Sequence, residues 1–172
     1  PGSQSIGTFG VIPAKTYGDA PFAVTAPTAT SGLPVSVTVK SGPATISGGS
    51  VTLTGAGTVL LAANQAGSAN YSAAAEVSTS FVVSKASQSI ASFVVIPAKT
   101  YGDAPFLVDV PAATSGLSVV LSVKSGPATV SGNTVTITGA GTVILAANQS
   151  GNANYNAAPE VTVSVTGLRS NQ

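Results

Sequence analysis

The side chains able to do chemistry in this sequence are few, and most of them recur about 84 positions later. His, Cys, Met and Trp are absent, which removes the usual general base, the thiolate nucleophile and most zinc ligand sets. The five carboxylates are Asp19, Glu76, Asp103, Asp109 and Glu160. A glycosidase-like site needs two carboxylates a few ångströms apart in a cleft, whereas lone carboxylates are typical of turns and strand ends. The sequence therefore predicts that the protein is not an enzyme.

A covalent alternative combines a lysine, an asparagine and a carboxylate. An amine that attacks a side-chain amide beside an acid forms an intramolecular Lys–Asn cross-link, which would suit a domain without Cys. The candidates are Lys15 or Lys40, Asn64 or Asn70, and Glu76 or Asp19. Because lysines at outward strand positions are normally solvated, we expect the amines to remain free.

Metal and anion sites have weaker signatures in this sequence. Asp109 and Glu76 are the candidate calcium ligands, but calcium needs six or more oxygens and the DxDxDG spacing is missing. The GAG stretches at 55–57 and 139–141 precede strands, so no helix N-terminus is available to hold a phosphate. We predict no metal and no cofactor, with calcium as the minor alternative.

The loop AANQAGSANY at 62–71, with its partner AANQSGNANY at 146–155, is rich in side-chain amides. Amides at loop tips can bind sugars, but more often they cap turns. We predict the structural role and keep weak carbohydrate binding as an alternative.

Composition excludes several classes of partner. Charged residues make up 6% of the chain and hydrophobic residues 44%, with 19 Gly and 11 Pro. The net charge of +1 provides no basic patch for nucleic acid. Apolar runs such as Val59–Ala63 are far shorter than the roughly 20 residues that span a bilayer. The composition predicts a folded chain that binds no nucleic acid and does not insert into a membrane.

The elements that must position these side chains belong to a duplication. Shifting the chain by about 84 positions aligns Gln4–Ser5–Ile6 with Gln88–Ser89–Ile90 and continues without a gap. We predict one repeat at 4–84, a second at 88–168 and a short linker at 85–87, which has no Gly or Pro. Residues 1–3 are interpreted as a possible cloning remnant.

Each repeat reads as a series of short strands separated by Gly and Pro. In the first repeat the predicted strands are 5–11, 22–25, 35–40, 44–47, 51–54, 58–64 and 76–84. Alternation places Val59, Leu61 and Ala63 on one face. The predicted fold class is all-β, with two tandem immunoglobulin-like antiparallel β-sandwiches of about seven strands each. Pro13 should end the first strand, and Gly18–Asp19 should provide a tight reversal.

Four blocks occur in both repeats: YGDAPF (17–22, 101–106), SGPAT (41–45, 125–129), GAGTV (55–59, 139–143) and ANY (69–71, 153–155). These blocks resemble the bacterial immunoglobulin-like repeats that occur in tandem in large secreted and cell-surface proteins. The resemblance implies an extracellular or cell-surface, adhesin-like bacterial protein in which the repeats form a stalk. It implies no catalytic residues.

The leading functional prediction is a structural spacer whose partners are the neighbouring repeats of the same chain. Because the linker is short, we expect the pair to form a semi-rigid rod. The alternative is adhesion or self-association through an outward apolar sheet face. The predicted contact patch consists of Leu60, Val120, Ile144 and Ala146.

Overall fold

The computed structural model describes all residues Pro1–Gln172 and divides into two compact units, Pro1–Ala86 and Ser87–Gln172. Both units contain only strands and connecting loops. The first unit has β1 Lys15–Thr16, β2 Phe22–Ala23, β3 Ser36–Ser41, β4 Ala44–Ser47, β5 Ser50–Leu53, β6 Gly57–Asn64 and β7 Val77–Ser84. The second has β8 Lys99–Thr100, β9 Phe106–Leu107, β10 Val120–Ser125, β11 Ala128–Ser131, β12 Thr134–Ile137, β13 Gly141–Asn148 and β14 Val161–Leu168. No helix that could cross a membrane is present.

Two sheets form each unit. In the first unit the strand orders are β1-β7-β6-β3 and β2-β5-β4, and the second unit repeats them as β8-β14-β13-β10 and β9-β12-β11. An immunoglobulin-like sandwich likewise joins the second, fifth and fourth strands in one sheet and the third, sixth and seventh in the other. The chain therefore consists of two tandem immunoglobulin-like β-sandwiches, which confirms the predicted fold class.

The core of the first unit lies between its two sheets. Val59, Leu61 and Ala63 of β6 are fully buried, as the alternation predicts. Val51 of the opposite sheet belongs to the same cluster as Val59 and Leu61. Burial of a Leu or Val side chain contributes roughly 1.5–3 kcal/mol, so each unit is stabilised mainly by its own core. The second unit has an equivalent cluster of its own.

The predicted first strand at 5–11 is wrong. Over this stretch the structure has only an isolated bridge between Ile6 and Ala29, and the first strand, β1, begins after Pro13. The stretch contains Gly7 and Gly10, which weaken a strand, and Pro13 after it has no N–H to donate to a ladder. Strand β1 then pairs with β7 in parallel, so each sandwich contains one parallel pair among its antiparallel ones.

The reversal predicted at YGDAPF is confirmed. Gly18 has a φ of 96°, and the N–H of Asp19 donates to the Thr16 carbonyl at 3.0 Å. The Asp19 carboxylate accepts a hydrogen bond from the Thr16 N–H at 2.8 Å. Asp103 makes the same bond in the second unit. These two carboxylates therefore stabilise turns.

The chain enters and leaves each sandwich at opposite poles. In the first unit, Gly2 donates to the Asn70 carbonyl at 2.7 Å, in the loop that precedes β7. The far end of β7 lies beside the β1 turn, where the Tyr17 N–H donates to the Ser84 carbonyl at 2.9 Å. An eight-residue strand spans roughly 26 Å, so the two chain ends are separated by about the length of the sandwich.

Candidate functional site

Three polar side chains meet on the outer face of the four-stranded sheet. The Glu76 carboxylate accepts one hydrogen bond from Lys40 Nζ and another, at 3.2 Å, from Asn64 Nδ2. We call this set the Lys–Glu–Asn triad. The second unit repeats it with Lys124, Glu160 and Asn148. The triad connects β3, β6 and the residue before β7.

The backbone of β3 positions the lysine of the triad. Pairing between β3 and β6 shifts register between Val39 and Ser41, so Lys40 stands at a β-bulge, which bends and twists its strand. Gly42 follows with a φ of 99° and lies so close to β6 that a Cβ would be 2.3 Å from the Thr58 carbonyl oxygen. Only glycine allows this approach without displacing the backbone.

The triad also accounts for a buried alanine on the outer face. The register places Ala62 opposite Thr38 and Ser78, between Lys40 and Glu76. Ala62 is nevertheless only 1% exposed. The aliphatic stem of a lysine can cover apolar surface while its ammonium stays solvated, and the ion pair holds Lys40 across this position.

The predicted contact patch is corrected by the same geometry. Ala146 is the counterpart of Ala62 and is also 1% exposed, so its predicted exposure is wrong. Alternation correctly assigns it to the outer face but gives no information on what lies over that face. Leu60 and Ile144 are half-buried, while Val120 is 64% exposed. These residues therefore do not form a continuous exposed apolar strip.

The electrostatics of the triad favour an ion pair over amide formation. The Lys40 ammonium, followed by the Asn64 amide, holds the pKa of the Glu76 carboxyl below its ordinary value. Formation of a Lys–Asn amide needs a neutral amine and an acid that can donate a proton. The side chains of Lys40 and Glu76 are 52% and 36% exposed. Water therefore stabilises the charged forms of both groups, and the charged forms are not the ones that this reaction needs. A surface pair of this kind contributes little stability.

The other cross-link candidates lie elsewhere. Lys15 Nζ is 4.3 Å from the centroid of the Phe22 ring, in a cation–π contact. Asp19 is bonded within its own turn. The structure therefore brings together Lys40, Asn64 and Glu76 from the predicted set. No group of three or more carboxylates gathers to hold a metal ion.

The amide-rich loop is bonded to its own unit. Gln65 Nε2 donates to the Pro34 carbonyl at 2.7 Å, while its oxygen accepts from the Gly67 N–H. Gln4 reaches the same loop by donating to the Ser72 carbonyl at 2.7 Å. In the second unit the equivalent Gln88 is 6% exposed. Gln4 and Gln88 were not among the residues given a role from the sequence, although their recurrence in both repeats was an available signal.

A second candidate is the open edge of the three-stranded sheet. In the second unit a groove is lined by Val94–Pro97 on one side and Phe106–Asp109 on the other, with Lys99 at its border. The first unit has the corresponding groove between 9–13 and 22–25. This groove was not among the sites predicted from the sequence. The available signal was that the repeats differ here: Val94, Leu107 and Asp109 stand where the first repeat has Gly10, Ala23 and Thr25.

No protein-family model and no curated protein match this chain. Among solved structures it is similar to immunoglobulin domains 1-4 of Sidekick-1, with 12% identity, a TM-score of 0.40 and coverage of 97% of this chain and 48% of that one. It is also similar to Drosophila N-cadherin EC1-4, with 11% identity, a TM-score of 0.32 and coverage of 97% of this chain and 50% of that one. A third similar structure is a SusE-like surface located polysaccharide binding protein from the Bacteroides thetaiotaomicron heparin utilisation locus. The identity is 15% and the TM-score 0.34, with coverage of 96% of this chain and 34% of that one. This chain thus spans half or less of those chains, and the likeness concerns the fold alone.

Proposed function

We propose that this chain is a spacer module of a repetitive extracellular or cell-surface protein, where it holds other domains apart. The observation that supports the proposal most is the path of the chain through each sandwich. Each unit receives the chain at one pole and releases it at the other, as the contacts of Gly2 and Tyr17 define for the first unit. Units of this kind add length when they are repeated.

The pairing of the end strands supports the same role. In each unit the first strand runs parallel to the last, with Lys15 opposite Val83 and Thr16 opposite Ser84 in the first unit. A pull on the two chain ends acts along these strands and across their hydrogen bonds. The bonds are then loaded together and not one after another, which favours resistance to tension.

The resemblance of the repeated blocks to bacterial immunoglobulin-like repeats supports the surface location. The chemistry of the chain supports a structural role as well. Its most organised polar groups, the Lys–Glu–Asn triad and the amides of Gln4 and Gln65, are bonded within their own unit. They brace strands and loops.

Small-angle X-ray scattering of the 172-residue pair tests the spacer proposal. A single compact body of this length has a radius of gyration of about 16 Å. A spacer with its units end to end should clearly exceed that value in scattering data extrapolated to zero concentration. A matched control replaces 85–87 with a longer Gly/Ser segment, which should broaden the distribution of dimensions. A radius near 16 Å for the native pair would contradict the proposal.

A further inference from the structure

The edge strand β9 has backbone groups that face away from its own sheet. The Val108 N–H donates to the Asn133 carbonyl at 2.9 Å, and Phe106 pairs with Val135 two residues earlier. In an antiparallel ladder, residues in hydrogen-bonded positions alternate with residues whose N–H and C=O point outward. Leu107 occupies the outward position. The segment Val94–Pro97 borders this edge without forming a strand with it.

The surface around this edge is apolar. Leu107 is 79% exposed, and Val94 and Val95 across the groove are 71% and 87% exposed. They line one groove, so they form a contiguous patch of the kind that marks contact sites. In the first repeat, Gly10 and Ala23 replace two of these side chains, and Val11 is the exposed large hydrophobic residue that borders the corresponding groove.

One charge of each sign borders the same groove. Lys99 Nζ lies 4.5 Å from the centroid of the Phe106 ring, and Asp109 is exposed on the other side of Leu107 along the chain. Neither Lys99 nor Asp109 takes part in a salt bridge. The first repeat keeps the lysine, as Lys15, but has Thr25 where the acid would be.

We propose that the β9 edge is a homotypic docking surface at which a second copy of this chain binds by antiparallel pairing centred on Leu107. A two-fold axis makes one patch complementary to itself. The Leu107 N–H of each copy then donates to the Leu107 carbonyl of the other. The same rotation exchanges the two sides of Leu107, so Asp109 of one copy approaches Lys99 of the other.

The charges select this occupant over an unrelated extended peptide. An unrelated peptide could pair with the backbone groups and cover the apolar patch. Its binding would give no reason for this chain to carry Lys99 and Asp109 on opposite sides of Leu107. A second copy supplies that pattern automatically. This docking does not depend on the spacer role, because scattering extrapolated to zero concentration reports the dimensions of one chain, whereas the change of mass with concentration reports contacts between chains.

Sedimentation equilibrium of the native two-unit chain and of a set of variants tests the proposal. We expect a monomer–dimer equilibrium that higher salt weakens. Leu107→Asp should raise the dissociation constant at least about tenfold, since it places like charges at the centre of the pairing. Ala23→Asp, the matched change in the first repeat, should leave it unchanged. Leu107 is exposed, so its replacement leaves the core intact.

Charge reversal identifies the proposed contacts. Lys99→Asp and Asp109→Lys should each weaken the dimer, because each creates two like-charged contacts across the axis. The double variant should restore it, and so should an equal mixture of the two single variants, in which every contact becomes attractive. A native chain that stays monomeric at all concentrations would overturn the proposal. So would a dimer that Ala23→Asp and Leu107→Asp weaken equally, or a mixture that fails to recover.

Discussion

Gly42→Ala is predicted to unfold the first unit at much lower denaturant while leaving the second unit intact. An alanine at a φ of 99° costs roughly 1–2 kcal/mol. Its Cβ would also lie 2.3 Å from the Thr58 carbonyl oxygen and 2.7 Å from Val59 Cα, both in the backbone of β6. Relieving such a clash costs roughly 1–3 kcal/mol more, so the expected loss is about 2–5 kcal/mol.

Gly18→Ala is the matched control for this prediction. Gly18 has a φ of 96°, but no heavy atom lies within 4 Å of a Cβ built on it, so only the backbone cost applies. Urea unfolding followed by far-ultraviolet circular dichroism measures both variants, with the second unit as an internal reference. With a urea dependence of about 1 kcal/mol per molar, the two first-unit midpoints should differ by about 1–3 M. Equal midpoints would refute the steric argument and with it the role assigned to Gly42.

Further predictions concern the polar groups. Glu76 has a lowered pKa in the folded unit, so its stabilising effect is complete above the ordinary value of 4.5 and is lost as pH falls through the folded-state value. The difference in urea midpoint between the native chain and Glu76→Gln should therefore shrink below pH 4.5. The intact mass should equal that of the unmodified sequence, because Lys40 and Lys124 are held in ion pairs with Glu76 and Glu160; loss of one ammonia would show that one of the two triads had formed the amide. Gln88→Leu should destabilise the second unit by about 1–3 kcal/mol in urea unfolding, because the buried Gln88 side chain then no longer accepts from the half-buried Ser115 hydroxyl or donates to the Asn156 carbonyl; an unchanged midpoint would contradict that.

Local patterns predicted much of each sandwich. Regular Gly and Pro punctuation gave the number of strands, and period-two alternation identified the inward residues Val59, Leu61 and Ala63. The first strand was misplaced because a strand-like composition at 5–11 does not specify a partner, and the chain pairs beyond Pro13 instead. The exposure of Ala146 was predicted wrongly, because alternation shows which face of the sheet a residue lies on but not whether other side chains cover it.

The sequence by itself determined the duplication, the all-β class, the absence of thiol and imidazole chemistry, and the inward face of the long strands. Each of these follows from composition or from spacing within a few residues. Only the tertiary structure decided the Lys–Glu–Asn triad, the parallel pairing of β1 with β7 and the open edge at Leu107. Lys40 and Glu76, for example, are 36 residues apart. Such contacts depend on the register between strands distant in the chain, which is set by packing of the whole sandwich and by no local pattern.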